Sequence, residues 1–279
     1  MIKFSIYLNT SLRFDKYLSD LLHFSRNNIF QLFKDNKIKL NGKDVNKSVI
    51  AQKGDVVEID ISQNYHLPFL ESDFSKLKVI FENQEFLFIY KPPLFHSANL
   101  KGSFYSVESY LSKVNSNYVL LNRLDFNTEG ILIAAKSKEA FYRYRAFEKS
   151  DKIEKYYIAF VDGYLKKPLE IQSDFISKGV KRVKISSFGL GKHKTFINPI
   201  AFYNGGTLAD IKIFRGARHQ IRVHSASSGY PLMGDFLYNK NIDKAGSYFL
   251  FCYKYNIDGA IFDFTESSPL KSSFKKFLI

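Results

Sequence analysis

Leu121-Asn122-Arg123-Leu124-Asp125-Phe126-Asn127-Thr128-Glu129-Gly130 runs directly into Ile131-Leu132-Ile133-Ala134-Ala135. A polar loop followed by an uninterrupted apolar run is the pattern of an irregular segment feeding a buried strand. Working outward, Ala140, Phe141, Tyr144 and Phe147 recur at helical spacing and predict a helix over Lys138–Lys149. Upstream, Val79-Ile80-Phe81 and Phe86-Leu87-Phe88-Ile89-Tyr90 read as strands. Strands and helices alternate without βαβ units carrying glycine-rich phosphate loops. The expected fold is α+β, with helices beside a mixed, mostly antiparallel sheet.

Residues 13–61 read as a separate small unit. Arg13-Phe14-Asp15-Lys16-Tyr17-Leu18 opens a helix with Phe14, Leu18, Leu21 and Leu22 on one face. Ser25 is an N-cap for a second helix, whose apolar residues are Ile29, Phe30, Leu32 and Phe33. Asn41-Gly42 between Ile38-Lys39-Leu40 and Lys43-Asp44-Val45 is a strong hairpin signal. Lys53-Gly54-Asp55 makes a turn before a last strand over 56–61. Residues 62–78 mix polar residues with Pro68 and read as a linker. The expected organisation is 1–61, a small N-terminal α/β domain; 62–78, linker; and 79–279, the large domain.

Composition narrows the function classes. The balance of 45% hydrophobic and 24% charged residues is that of an ordinary globular protein. Cys252 is the single cysteine, which excludes an intrachain disulfide and a multi-cysteine zinc site. The start, Met1-Ile2-Lys3-Phe4-Ser5-Ile6, is too short and polar for a signal peptide, and no apolar run approaches the roughly 18 residues of a membrane span. A cytoplasmic protein without membrane contact is expected. The formal net charge of +14 points to a polyanion such as nucleic acid, although general lysine enrichment also contributes. Arginine is more informative: there are nine, and Arg215, Arg218 and Arg222 fall within eight residues. A chain that otherwise uses lysine calls there for a planar, forked, permanently charged group.

Four segments of the large domain carry chemistry together. They are Tyr90-Lys91-Pro92-Pro93; the Arg123-Leu124-Asp125 loop; Lys155-Tyr156-Tyr157-Ile158-Ala159-Phe160-Val161-Asp162-Gly163; and Arg215-Gly216-Ala217-Arg218-His219-Gln220-Ile221-Arg222-Val223-His224, followed by Gly229-Tyr230-Pro231-Leu232-Met233-Gly234-Asp235. In this order, from about 79 to 250, they resemble the RluA-type RNA pseudouridine synthases. Residues 13–61, through Arg13, Asp15, Leu18, Ser25-Arg26, the segment 37–43 and Gly54-Asp55, resemble the alpha-L (S4-like) RNA-binding domain, a common partner in that family. The chain departs from the family pattern at Asn122, where histidine is usual, in the position of one arginine within 215–218, and in a glycine missing after Lys91-Pro92.

The resemblance implies a sheet bisected by a catalytic cleft, and isomerisation of uridine to pseudouridine in RNA, ribosomal RNA of the large subunit being favoured over transfer RNA. It implies no cofactor and a monomer. It makes Asp125 the catalytic carboxylate, Arg222 its cationic partner, Tyr157 the ring that stacks on the target base and can move a proton, and Arg123 the residue that helps fill the space left by a flipped uridine. A buried carboxylate needs such a cation to stay ionised, and the arginine fork can hold it at two points. Arg26, Lys34, Lys37, Lys39 and Lys43 would face RNA phosphates from the small domain, with Arg215, Arg218 and His219 contacting RNA from the large one.

Read singly, these residues leave other assignments open. Asp125 can pair with Arg123 in a structural loop, and Tyr157 can be core. Arg222, alternating with Ile221 and Val223, can be a solvent-facing strand residue. Glu129, four residues after Asp125, raises a glycosidase-like carboxylate pair. His219 and His224, five apart, suit a metal poorly and read as structural or RNA-contacting. A non-catalytic RNA-binding or ribosome-assembly factor on the same fold is the rival at the level of function. A methyltransferase is disfavoured because Gly205-Gly206 and Gly189-Leu190-Gly191 lack the strand-to-helix context of a nucleotide loop.

Overall fold

A computed structural model describes residues 2–5, 12–22, 26–52, 54–60, 74–99, 106–176, 182–186, 191–240 and 248–267. The chain divides into two compact units, Met1–Asp73 with Asn99–Ser106, and Phe74–Ala98 with Val107–Ile279.

The first unit contains β1 (Ile2–Ser5), β2 (Leu12–Arg13), α1 (Phe14–Leu22), α2 (Arg26–Lys34), β3 (Ile38–Leu40), β4 (Lys43–Asp44), β5 (Ile50–Ala51) and β6 (Val56–Ile59). Its sheet runs β1-β6-β3-β4, antiparallel throughout, and β2 pairs with β5. The hairpin between β3 and β4 turns on Asn41 and Gly42, both at positive φ (54° and 76°), as a tight primed turn requires. Phe14, Leu18, Ile29, Leu32, Ile38, Val57 and Ile59 form its core. Phe30, expected in the apolar face of α2, is instead 48% exposed, with the Lys47 ammonium over its ring. Ile29, Leu32 and Phe33 already define the buried face at helical spacing, and the next residue along is rotated about 100° away from it. Ser25, Lys53 and Ile61 lie outside the described residues.

The second unit holds β7 (Lys78–Glu82), β8 (Phe86–Lys91), α3 (Val107–Val114), β9 (Val119–Leu120), β10 (Glu129–Ala135), α4 (Lys138–Lys149), β11 (Ile153–Asp162), β12 (Leu169–Ile176), β13 (Lys184–Ser186), β14 (His193–Tyr203), β15 (Gly206–Ile213), α5 (Gln220–Ser227), β16 (Leu250–Ile257) and β17 (Ala260–Asp263). The expected boundary at 78/79 needs correction. Phe74–Lys76 form a 3-10 turn, Leu77 is buried in the core of this unit, and Lys78 already pairs with Tyr90. Only 74–78 of the expected linker are described, and they pack as part of the fold.

The sheet runs β13-β12-β14-β15-β11-β16-β10-β8-β7, with β9 on β10 and β17 on β16. Its pairs are antiparallel except β10 with β16, which meet in parallel only at Glu129↔Phe251 and Gly130↔Cys252. The expected mixed, mostly antiparallel sheet is therefore present. Gly130 permits that junction: a Cβ there would overlap the Cys252 backbone nitrogen and oxygen and stand 2.8 Å from its Cα. Its φ of 130° is also one that side chains disfavour. The loop before β10 is thereby delivered to the middle of the sheet.

Candidate active site

The loop 121–128 has no regular structure and is pinned through its main chain. Thr128 N–H donates to the Asp125 carbonyl at 3.0 Å, closing a turn. The Ser97 hydroxyl donates to the Leu124 carbonyl (2.8 Å) and accepts from the Leu124 amide (3.0 Å). Lys91, fully buried at the end of β8, donates to the carbonyls of Pro92 (2.8 Å), Phe95 (2.9 Å) and Phe126 (3.3 Å). Burial lowers the Lys91 pKa to about 7, against the pull of Asp125 and Glu129.

α5 brings Arg222 to this loop. Its Nη1 donates to Asp125 Oδ2 at 3.0 Å, while Nε and Nη2 fork onto Asp235 Oδ2 (2.7 Å) and Oδ1 (2.8 Å). Asp235 is fully buried, and the guanidinium lies over the Tyr248 ring at 4.5 Å. Burial alone would lower the Arg222 pKa, but the Asp235 hydrogen bonds and the surrounding negative charge raise it above the ordinary value. Arg222 is a fixed cation that holds the Asp125 carboxylate at one oxygen. The other, Oδ1, accepts no hydrogen bond from a described residue, and the Asp125 side chain is 24% exposed.

Asp125, Arg222 and Tyr248 line a cleft of about 800 Å³, together with His96, Asn122, Arg123, Tyr157, Arg218 and His219. That is room for a nucleotide. Tyr157 follows a bulge in the β11–β16 register and is 5% exposed. Burial pushes its hydroxyl pKa well above the ordinary value, so at neutral pH it is a phenol that offers a ring face and not a base. His219 sits in a left-handed conformation (φ 56°) just before α5, with Nε2 3.9 Å from Asp125 Oδ2 and Nδ1 2.8 Å from the Tyr238 hydroxyl. Burial lowers its pKa, with Asp125 opposing, so it is neutral at pH 7. At the cleft wall Glu148 accepts from Arg145 (2.7 Å) and Lys155 (2.8 Å).

The structure brings Asp125, Tyr157, Arg222, Arg123, Arg218 and His219 together and leaves Arg215 out. Arg215 forks onto Asp151 (Nε to Oδ1, 2.8 Å) and donates to the Lys149 carbonyl, away from the cleft lining. Arg123 is exposed and makes no ion pair or hydrogen bond with a described residue, so Asp125 is not its structural partner. Arg222 is on a helix, not a strand. Every residue from Gln220 to Ser225 is buried, so no polar face marked the helical period. Glu129 accepts from the Tyr90 hydroxyl at 2.5 Å and does not line the cleft, which removes the paired-carboxylate reading. His224 is buried between Ser173 (2.7 Å) and Thr195 (2.8 Å).

In the first unit Lys37 pairs with Asp60 (2.9 Å) and Lys39 stands 4.0 Å from Asp44. Lys34 and Lys43 are exposed without a described partner, and the Arg26 side chain lies outside the described residues. Sequence reading gave no role to Asp235, Lys91 or Tyr248. The first two stood in quoted motifs, whereas Tyr248 carried no signal. Among the described residues no group of three His, Cys, Asp or Glu is placed to hold a metal. No helix among them is long and apolar enough to cross a membrane.

The model of the RNA pseudouridylate synthase family matches residues 85–227, which include Asp125, Tyr157 and Arg222. An RNA pseudouridine synthase of Helicobacter pylori (strain J99) is 30% identical over 77% of this chain and 85% of its own length. The ribosomal large subunit pseudouridine synthase C of Buchnera aphidicola subsp. Acyrthosiphon pisum is 28% identical over 85% of this chain and 81% of its own. The solved structure of human RNA pseudouridylate synthase domain containing 4 shares the fold, with a TM-score of 0.57 and 14% identity over 72% of this chain and 92% of that one. The chain belongs to the RNA pseudouridylate synthase family and is an enzyme that isomerises uridine in RNA.

Proposed function

We propose that Asp125 is the catalytic carboxylate and that the substrate is large-subunit ribosomal RNA. The observation that carries the first part is the Asp125–Arg222 contact at 3.0 Å, inside a nucleotide-sized cleft, with Asp125 Oδ1 left unengaged by the described residues. Isomerisation detaches uracil at nitrogen 1 and rejoins it to the sugar through carbon 5. An anionic oxygen beside the sugar or base is the one group every route requires. Arg222 holds the Asp125 carboxylate at one oxygen, the Tyr157 ring gives the base a face to stack on, and Arg123, exposed and without a partner among the described residues, is suited to the space left when a uridine leaves its stack. Flipping costs roughly a few kcal/mol, least where the base is already unpaired.

The second part rests on the relative named as a ribosomal large subunit synthase, and on the formal charge of +14. In this reading the N-terminal unit is an alpha-L-like RNA anchor, its exposed Lys34 and Lys43 holding phosphates. The enzyme works as a monomer in the cytoplasm without a cofactor. Mapping pseudouridines in ribosomal and transfer RNA from cells with and without the gene tests it. Loss of one or more large-subunit sites is expected, and loss confined to transfer RNA would overturn the assignment.

A further inference from the structure

Asn122 lies in the cleft lining three residues before Asp125, at the point where the chain leaves the sheet. β9 pairs with β10 through Val119↔Ala135 and Leu120↔Ala134. Leu121 N–H then donates to the Ile133 carbonyl at 2.8 Å. The next rung is made by a side chain: the Ile133 amide donates to Asn122 Oδ1 at 2.9 Å. The other half of the same amide, Nδ2, donates to the Tyr255 hydroxyl at 2.7 Å. That hydroxyl donates its single hydrogen to the Ile131 carbonyl at 2.6 Å and also accepts from the Cys252 thiol at 3.2 Å.

The orientation of the amide is therefore forced. Ile133 N–H can only donate, and the Tyr255 oxygen can only accept from Asn122 because its hydrogen is already committed. A side chain here must present one acceptor and one donor side by side. Ile131 and Ile133 belong to β10 and Tyr255 to β16, the two strands that meet at Gly130 and Cys252. One amide thus ties the start of the Asp125 loop to both.

We propose that Asn122 is a positioning residue for Asp125, fixing where the loop leaves the sheet through this acceptor–donor match to Ile133 and Tyr255. The inference rests on the reading of Asp125 above. The demand is for hydrogen-bond pattern and not charge. A neutral imidazole also offers one acceptor and one donor, but a protonated one offers two donors and sets an N–H against the Ile133 amide.

The test uses the full chain, large-subunit ribosomal RNA tritiated at uracil carbon 5, and filter binding of the same RNA. Asn122→Leu keeps the branched outline of the side chain and removes both bonds. Turnover should fall about 10- to 100-fold, the range a displaced reactive group produces, with RNA affinity within about twofold of the parent. Asn122→His should restore turnover at pH 8. It should then fall to the level of Asn122→Leu below the ordinary imidazole range of about 6.5, a limb that the ratio to the parent isolates. If Asn122→Leu folds poorly, Tyr255→Phe removes the acceptor from the other side and should give the same split, and the double variant should be no worse than the worse single. Parental turnover in Asn122→Leu, an equal loss of affinity and turnover, or a histidine variant that never recovers would each overturn the inference. A parent that releases no tritium from either ribosomal or transfer RNA overturns the reading of Asp125 and this inference with it, whereas an active parent beside an unaffected Asn122→Leu overturns the positioning role alone.

Discussion

Asp235→Asn removes one charge from the buried end of the Arg222 fork. In the native protein Asp235 receives Nε at 2.7 Å and Nη2 at 2.8 Å, and its Oδ1 also accepts from the Leu237 amide at 3.1 Å. Asparagine keeps one oxygen but turns an NH2 towards the fork, so one guanidinium N–H faces another donor. The Asp235 side chain is fully buried and that of Arg222 only 7% exposed, so water cannot step in. Disabling one partner of such a pair costs about 3 kcal/mol, the lower end for a buried ion pair because one bond survives. For a unit of about 200 residues this lowers the thermal midpoint by roughly 6 to 12 °C. The fork is also what aims Nη1 at Asp125, so turnover should fall by about 100-fold. RNA affinity should change little, since Asp235 is out of reach of RNA. Thermal unfolding, filter binding and tritium release read the three effects. A variant within 2 °C of the parent and within threefold in turnover would refute the view that Asp235 orients Arg222.

Gly130→Ala forces a Cβ into the Cys252 backbone, which no rotamer change can relieve. A loss of ~3 kcal/mol or more is expected in urea unfolding, and a loss under 1 kcal/mol would contradict the close approach of β10 and β16. His224 is buried and neutral, burial lowering its pKa to about 4 with His193 adding to the shift. The unfolded chain binds its proton at about 6.5, so stability should fall as pH drops from 6.5 towards 4. The difference of about 2.5 pKa units corresponds to about 3 kcal/mol. His224→Gln should flatten that acid limb, and an unchanged limb would show that another group governs it. Lys34→Glu with Lys43→Glu should weaken RNA binding and reduce its salt slope by about 0.7 per lost contact to single strands, whereas an unchanged slope would mean the first unit is not an RNA anchor.

Much of the architecture was legible because period and turn chemistry agreed. Ser137, whose hydroxyl accepts from the Ala140 amide, caps a helix whose expected span matches α4. Asn41-Gly42 likewise forces its hairpin. Less was legible where burial erased the pattern. α5 is polar and apolar by turns yet buried from Gln220 to Ser225, so in sequence Arg222 resembles a strand residue, and it is Gln220 and His224, anchored to β14 through Thr195, that fix the helix in place. The short strands β1, β2 and β5 hold two to four residues, too few to alternate visibly. In the site, Asp125, Tyr157 and Arg222 stood in motifs specific enough to name. Asp235, Lys91 and Tyr248 act through other side chains and main-chain carbonyls, contacts set by folding and not by spacing. Arg215, in the same basic cluster, has its fork on Asp151 and stands outside the cleft lining, a placement that spacing alone did not show.

Asp125→Asn preserves size and one acceptor oxygen while abolishing the anion. Forming the new bond at carbon 5 of uracil releases that carbon's hydrogen to solvent, so RNA tritiated there reports turnover as label in water. Removing a negative charge from the cleft takes away a repulsion towards phosphate, so binding should be retained or slightly tightened. The parent should release tritium from large-subunit ribosomal RNA, and Asp125→Asn should bind that RNA equally well and release none above background. Release from the variant at a rate comparable to the parent would contradict the assignment of Asp125 as the catalytic carboxylate.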